Sequence, residues 1–182
     1  LDVALDALHH GLAVVPPAED GSKRPDGNWK QYQHTLPTED ELRGWYANGR
    51  SGIGVVTGEI SGNLEMLEFE GRAVDADVHA AFADLAQQAG LTELINRIFH
   101  GYCEWTPTGG LHLLYRVLGI IAGNTKLARR AATAEEPAVH PCHKVRVLIE
   151  TPGEGGAVHG PPSPRPGHPH GGQQPRVTLE SR

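Results

Sequence analysis

Aromatic side chains are scarce in these 182 residues: three Phe, four Tyr and three Trp, 5% of the chain, beside a single Met. Apolar residues still reach 38%, enough for one globular domain of ordinary size, which excludes a disordered tail. Long apolar runs are missing. Runs such as residues 12–15 and 147–149 are far short of the roughly 18 needed to cross a bilayer, so a soluble protein without a membrane partner is expected. An excess of positive charge is missing too: 16 basic residues stand against 22 acidic, a formal charge of −6 with the 11 histidines neutral. That excludes whole-surface attraction to nucleic acid or anionic membrane and leaves room only for a local basic cleft. Cys103 and Cys142 could form one disulfide at most, and two free thiols are expected. The chain opens at Leu1 with no charged and apolar leader, as expected for an intracellular protein whose start is trimmed, processed or an unusual codon.

Glycine (23) and proline (14) are plentiful and concentrated in residues 152–175, where no helical or strand pattern can persist. The expected organisation is a folded domain over residues 1–163 and a Pro/Gly/His-rich tail over 164–182, closed by a short strand at 176–179. Within the domain, residues 2–10 suit a helix and 12–15 a buried strand. Thr38 with Glu41 is a capping-box signature for a helix carrying Leu42, Trp45 and Tyr46 and ending at Gly49. Residues 53–57 and 64–70 read as strands of a hairpin turned by Ser61-Gly62-Asn63. Val78, Phe82, Leu85, Ala86, Leu94, Ile95 and Ile98 recur at helical spacing over 75–99, broken at Gly90. Residues 102–105 and 111–117 flank Thr106-Pro107-Thr108-Gly109-Gly110 as a second hairpin, and 145–150 is the last clear strand. Paired strands with helices between them predict an α+β fold with a mainly antiparallel sheet.

On the third strand Leu64, Met66, Glu68 and Glu70 share one face, apolar at its start and acidic at its end. Two carboxylates about 7 Å apart along a strand can converge on divalent cations, or can lie on a solvated edge. His112, Leu114 and Arg116 share a face of the strand leaving the Thr-Gly-Gly turn. His112 and Arg116 make a plausible phosphate grip, with backbone N–H groups of Thr108, Gly109 and Gly110 as further donors, or else an ordinary surface pair. Glu150 adds a third acid beside a glycine-rich loop. Between Gly123 and Val147, five basic residues (Lys126, Arg129, Arg130, Lys144, Arg146) stand against two acidic ones (Glu135, Glu136), a local +3 that suits a nucleic-acid contact or a solvated basic face.

The ordered series Gly52-Ile53-Gly54-Val55-Val56-Thr57-Gly58, Leu67-Glu68-Phe69-Glu70, Thr106-Pro107-Thr108-Gly109-Gly110-Leu111-His112, Ile149-Glu150 with Gly153-Glu154-Gly155-Gly156, and Pro161-Pro162-Ser163 resembles the bifunctional DNA primase/polymerase N-terminal (prim-pol) domain of the archaeo-eukaryotic primase superfamily. Gly11 to Pro17, Lys23, Pro25, Trp29 and Trp45 fit the same resemblance, and residues 123–130 are similar to those of actinobacterial phage members. It implies a primase-type catalytic core with an RNA-recognition-like sheet and helices on one side. The implied activity is template-dependent joining of nucleotides in phage or mobile-element replication, with nucleoside triphosphates, a single-stranded DNA template and a replicative helicase as partners. By position, the family's Asp-x-Asp falls on Glu68 and Glu70, its histidine on His112 and its third acid on Glu150. Glu68, Glu70 and Glu150 would bind Mg²⁺ or Mn²⁺, His112, Arg116 and Lys126 the nucleotide, and Arg129, Arg130 and Lys144 nucleic acid.

The family's basic and aromatic residues are replaced by Pro152 and Ala157, and Glu stands for Asp twice. A second reading is therefore a nucleic-acid or replisome-binding module that kept the fold and lost the chemistry, and a third is a metal-dependent nuclease. His140, Cys142 and His143 lack a strong zinc spacing.

Overall fold

The computed structural model describes residues 1–20, 22, 24–106, 108–133, 136 and 144–160. The tail over 164–182, its expected strand at 176–179, and His140, Cys142 and His143 lie outside them. In chain order the described elements are α1 (Asp2–His9), β1 (Ala13–Val15), α2 (Glu39–Tyr46), β2 (Ile53–Val56), β3 (Leu64–Phe69), α3 (Gly71–Asp75), α4 (Val78–Gln88), α5 (Thr92–Phe99), β4 (Tyr102–Trp105), β5 (Leu111–Arg116), β6 (Thr125–Ala131), β7 (Val145–Thr151) and β8 (Ala157–Gly160). No helix among the described residues is long and apolar enough to cross a membrane, and Cys103 is a free thiol. The chain divides into two compact units.

The first unit comprises Leu1–Met66, Arg116–Gly123 and, among the described residues, Pro152–Gly160. Its antiparallel sheet has the order β1-β2-β8, with Val14 opposite Val55 and Val55 opposite Val158. The strand β1 is only three residues long, yet both its faces are buried: Val14 packs with Ala4, Ala7, Leu42 and Tyr46, while Ala13 and Val15 pack with Tyr32 and Val56. This explains an apolar run instead of an alternation. The capping box forms as expected, Glu41 N–H donating to Thr38 Oγ1 and Thr38 N–H to Glu41 Oε2. Buried Ser61 accepts from Ala13 N–H and donates to Val56 O, which ties the turn after β2 to the sheet.

The hairpin expected from residues 53–57 and 64–70 does not form. The strand β2 is taken by β1 and β8, β3 belongs to the other sheet, and only a bridge at Gly58 and Leu64 joins their ends. A single turn of 3-10 helix at Glu59–Ser61 precedes Gly62 (φ +69°) and Asn63 (φ +58°) and breaks the ladder between them.

The second unit comprises Leu67–Tyr115 and Asn124–Thr151. Its strands follow the order β4-β5-β3-β7-β6, and the β4–β5, β3–β7 and β6–β7 pairs are antiparallel. One face supplies Leu67, Phe69, Leu111, Leu113 and Ile149 to a core that also takes in Val78, Phe82 and Ile98 from the helices. Phe69 and Phe82 meet edge to face at 5.4 Å. Gly90 (φ +71°) separates α4 from α5, as the break in the pattern implies. Leu85 and Leu94, expected on the apolar face, are instead exposed. The strands β6 and β8 and the short α3 are not foreseen from the sequence. Strand β6 reads Thr-Lys-Leu-Ala-Arg-Arg-Ala, with no apolar alternation, and is held by its pairing to β7.

Candidate active site

Alternation along the second unit's strands puts the polar side chains on the face away from Phe69 and Leu113. Register then decides which of them meet. Glu68 on β3 lies directly opposite Glu150 on β7, and Lys126 on β6 lies opposite Glu150 from the other side. Across the other pair, His112 on β5 faces Glu104 on β4. His112 Nε2 lies 3.2 Å from Glu68 Oε1, and its Nδ1 lies 3.9 Å from Glu104 Oε2, an ion-pair distance rather than a hydrogen bond. The Tyr102 hydroxyl donates to the same Glu104 oxygen at 3.2 Å.

These groups are withdrawn from water, which sharpens their electrostatics. Burial alone would push the His112 imidazole toward neutrality. Glu104 and Glu68 outweigh that influence through bonds and charge and raise its pKa from 6.5 to about 9. The Glu150 carboxyl is held above its ordinary value, first by burial and then by the charge of Glu68, with Asn124 pulling it down, Glu70 raising it further and Lys126 lowering it. Glu68, Glu70 and Glu150 are thus near enough to repel one another, the condition that a bound cation relieves.

Glu70 sits where β3 gives way to α3, with an extended backbone, and its Oε2 lies 3.5 Å from Arg72 Nη1. Arg72 is anchored in turn on Val147 O at 2.7 Å. Among the described residues, no three His, Cys, Asp or Glu side chains are already gathered as a metal-binding group. The oxygen donors suit a hard divalent cation in kind and in mutual repulsion.

The turn after β4 is a compact knot. Gly109 N–H donates to Thr106 O and Gly110 N–H to Thr106 Oγ1, both at 2.9 Å. The Gly109 and Gly110 N–H groups, expected as phosphate donors, thus both have Thr106 as their acceptor in this structure. Thr108 is exposed, its Oγ1 3.1 Å from that of Thr106. Gly71 is required beside this turn, since a Cβ there would lie 2.1 Å from Thr108 O. The turn is thus pinned against the start of α3, next to Glu70.

Arg116 follows His112 at strand spacing but belongs to the first unit, where Nη1 and Nη2 of its guanidinium donate to the carbonyls of Ser61, Gly62 and His10. Arg130 is likewise engaged, in a two-bond pair with Glu136 at 2.8 and 2.7 Å, while Arg130 and the Thr133 N–H push the Glu136 carboxyl down to about 2. Lys126, Arg129 and Lys144 are exposed on or beside the edge strand β6.

Glu104 is the site residue that the sequence reading passed over. A signal for it existed: a five-residue turn centred on Thr108 pairs position 104 with 112 once 105 pairs with 111, the register observed. Two of the positions that depart from the resemblance serve the first unit: Pro152 O accepts from Met66 N–H at 3.2 Å, and Ala157 pairs with Val56.

A comparison with curated proteins returns no match. The family model described as bifunctional DNA primase/polymerase, N-terminal, matches residues 4–178 and so spans the acidic strand end, His112 and Glu150 together. With nearly its whole length matched, the chain belongs to the bifunctional DNA primase/polymerase N-terminal family.

Proposed function

We propose that the chain is a template-dependent nucleotidyltransferase, a DNA primase/polymerase that joins nucleotides at the polar face of its five-stranded sheet. The observation that carries this reading is the cross-strand meeting of Glu68 with Glu150, with His112 3.2 Å from Glu68. Family membership points to the same class of enzyme. Glu68, Glu150 and Glu70 would hold Mg²⁺ or Mn²⁺. When bound, such cations activate the attacking hydroxyl and neutralise charge on the triphosphate and leaving pyrophosphate. The imidazolium of His112 donates to a triphosphate oxygen. Lys126 brings positive charge beside Glu150 and thus to the nucleotide, while Arg129 and Lys144 offer the template backbone point charges along an exposed edge. Arg116 and Arg130 are left out of this set, because Ser61, Gly62 and Glu136 occupy them. A role in phage or mobile-element replication, with a single-stranded DNA template and a helicase partner in the cytoplasm, rests on the resemblance in the motifs.

The test is incorporation of labelled nucleotides on a single-stranded template, with and without primer, in Mg²⁺ and in Mn²⁺, for wild type, Glu70→Gln and Glu150→Gln. Extension by wild type and its loss, by roughly 100-fold or more, in both variants is expected. Extension retained in a folded Glu150→Gln protein overturns the assignment. Nucleotide binding without extension would favour a binding module, and degradation of the DNA a nuclease.

A further inference from the structure

Glu104 lies outside the motif that gathers Glu68, Glu70, His112 and Glu150, yet it is only 8% exposed, as is His112. Removing a carboxylate from water is costly unless its surroundings answer the charge. What answers it here is specific. Tyr102, two residues back on the same strand, donates its hydroxyl to Glu104 Oε2, and His112, directly across the ladder, turns its Nδ1 to the same oxygen. With Nδ1 on the Glu104 side, Nε2 is left facing Glu68. The terminal torsion of a histidine is broad and nearly twofold, so the ring itself does not choose which nitrogen points where. A carboxylate fixed on a paired strand does choose, and an imidazole oriented through its other nitrogen is a general device for holding an active-site histidine.

We propose that Glu104 is a positioning residue that holds His112 by its Nδ1 edge, so that Nε2 is presented beside Glu68 to the nucleotide's triphosphate. The proposal rests on the nucleotidyltransferase reading of the site. Glu104 touches no substrate and acts through His112, while Tyr102 limits the freedom of its carboxylate.

The test uses the full chain and two readouts. In the first, proton NMR without nucleotide, the buried His112 Nδ1–H, which faces the Glu104 carboxylate at ion-pair distance, gives a resonance slowed in exchange with water. Glu104→Gln, which keeps an oxygen in place, retains it, and Glu104→Ala loses it. In the second, template-dependent incorporation, Glu104→Ala lowers kcat roughly 10- to 100-fold and Glu104→Gln recovers most of that loss. In a His112→Asn background the same alanine change costs less than about twofold, because the two substitutions act through one group. If the alanine variant does not fold, Glu104→Asp withdraws the carboxylate by one methylene, and the resonance and kcat are expected to fall together. A resonance absent from the wild type or unchanged in Glu104→Ala, or an equal loss of kcat in both backgrounds, overturns the proposal. A wild type that incorporates nothing refutes the nucleotidyltransferase reading, and the resonance then decides the placement of the ring by itself.

Discussion

Replacing His112 with Asn removes a buried cation held between two carboxylates, and the size of its effect follows from the site. Burial favours the neutral ring, but Glu104 and Glu68 prevail and set the pKa at about 9 instead of 6.5. A group whose pKa rises on folding contributes stability that is complete below its unfolded value and is lost as pH climbs through its folded one. The window is therefore about pH 6.5 to 9. At 1.36 kcal/mol per unit, the shift corresponds to about 3 kcal/mol. The assay is urea unfolding of wild type and His112→Asn in the presence of a chelator, at steps from about pH 6 to about pH 10. The chelator matters because a divalent cation competes with the imidazolium for Glu68. The difference in unfolding free energy between the two proteins is expected to shrink by about 3 kcal/mol across that range. Taking the difference removes, to first order, the titration of Tyr102 and Cys103, whose pKa values burial raises and which both proteins share. Curves that stay parallel from end to end would refute the account of His112 as a buried imidazolium.

Arg116→Ala is expected to cost about 1 kcal/mol in urea unfolding, because the carbonyls of Ser61 and Gly62 lose a charged donor that water replaces in part, while nucleotide affinity stays put. Loss of affinity at unchanged stability would return Arg116 to the triphosphate. Arg129→Ala should weaken single-stranded DNA binding and lower the slope of affinity against salt by about 1, whereas Arg130→Ala, which breaks the pair with Glu136, should act mainly on stability. Thr38→Ala should cost about 1 kcal/mol by opening the capping box of α2, measured by thermal or urea unfolding.

Local patterns were legible where one segment carries its own signal. The Thr38 and Glu41 cap, the Gly90 break and the hairpin around Thr108 each follow from chemistry within a few residues, and each is present. The acidic end of β3 and the approach of His112 and Glu150 were legible as a set through resemblance. Failures fell where partners distant in sequence decide. Residues 53–57 and 64–70 look like a hairpin, but β1 and β8 satisfy β2 while β7 takes β3. Strand β6 carries no apolar alternation, because its face toward water is charged and its support comes from β7.

The same division runs through the candidate site. Sequence alone determined which groups are available: three carboxylates at strand ends, one histidine after a Thr-Gly-Gly turn, and a basic stretch in an acidic chain. Those are chemical identities, and folding does not change them. Only tertiary structure decided how each is employed, because hydrogen-bond and charge partners come from register across strands. It set Glu104 against His112, seated Glu150 opposite Glu68, closed the Gly109 and Gly110 donors on Thr106, and spent Arg116 on the carbonyls of Ser61 and Gly62. A long cationic side chain or a backbone N–H goes to whichever acceptor lies nearest in space, and no spacing along the chain reports that distance.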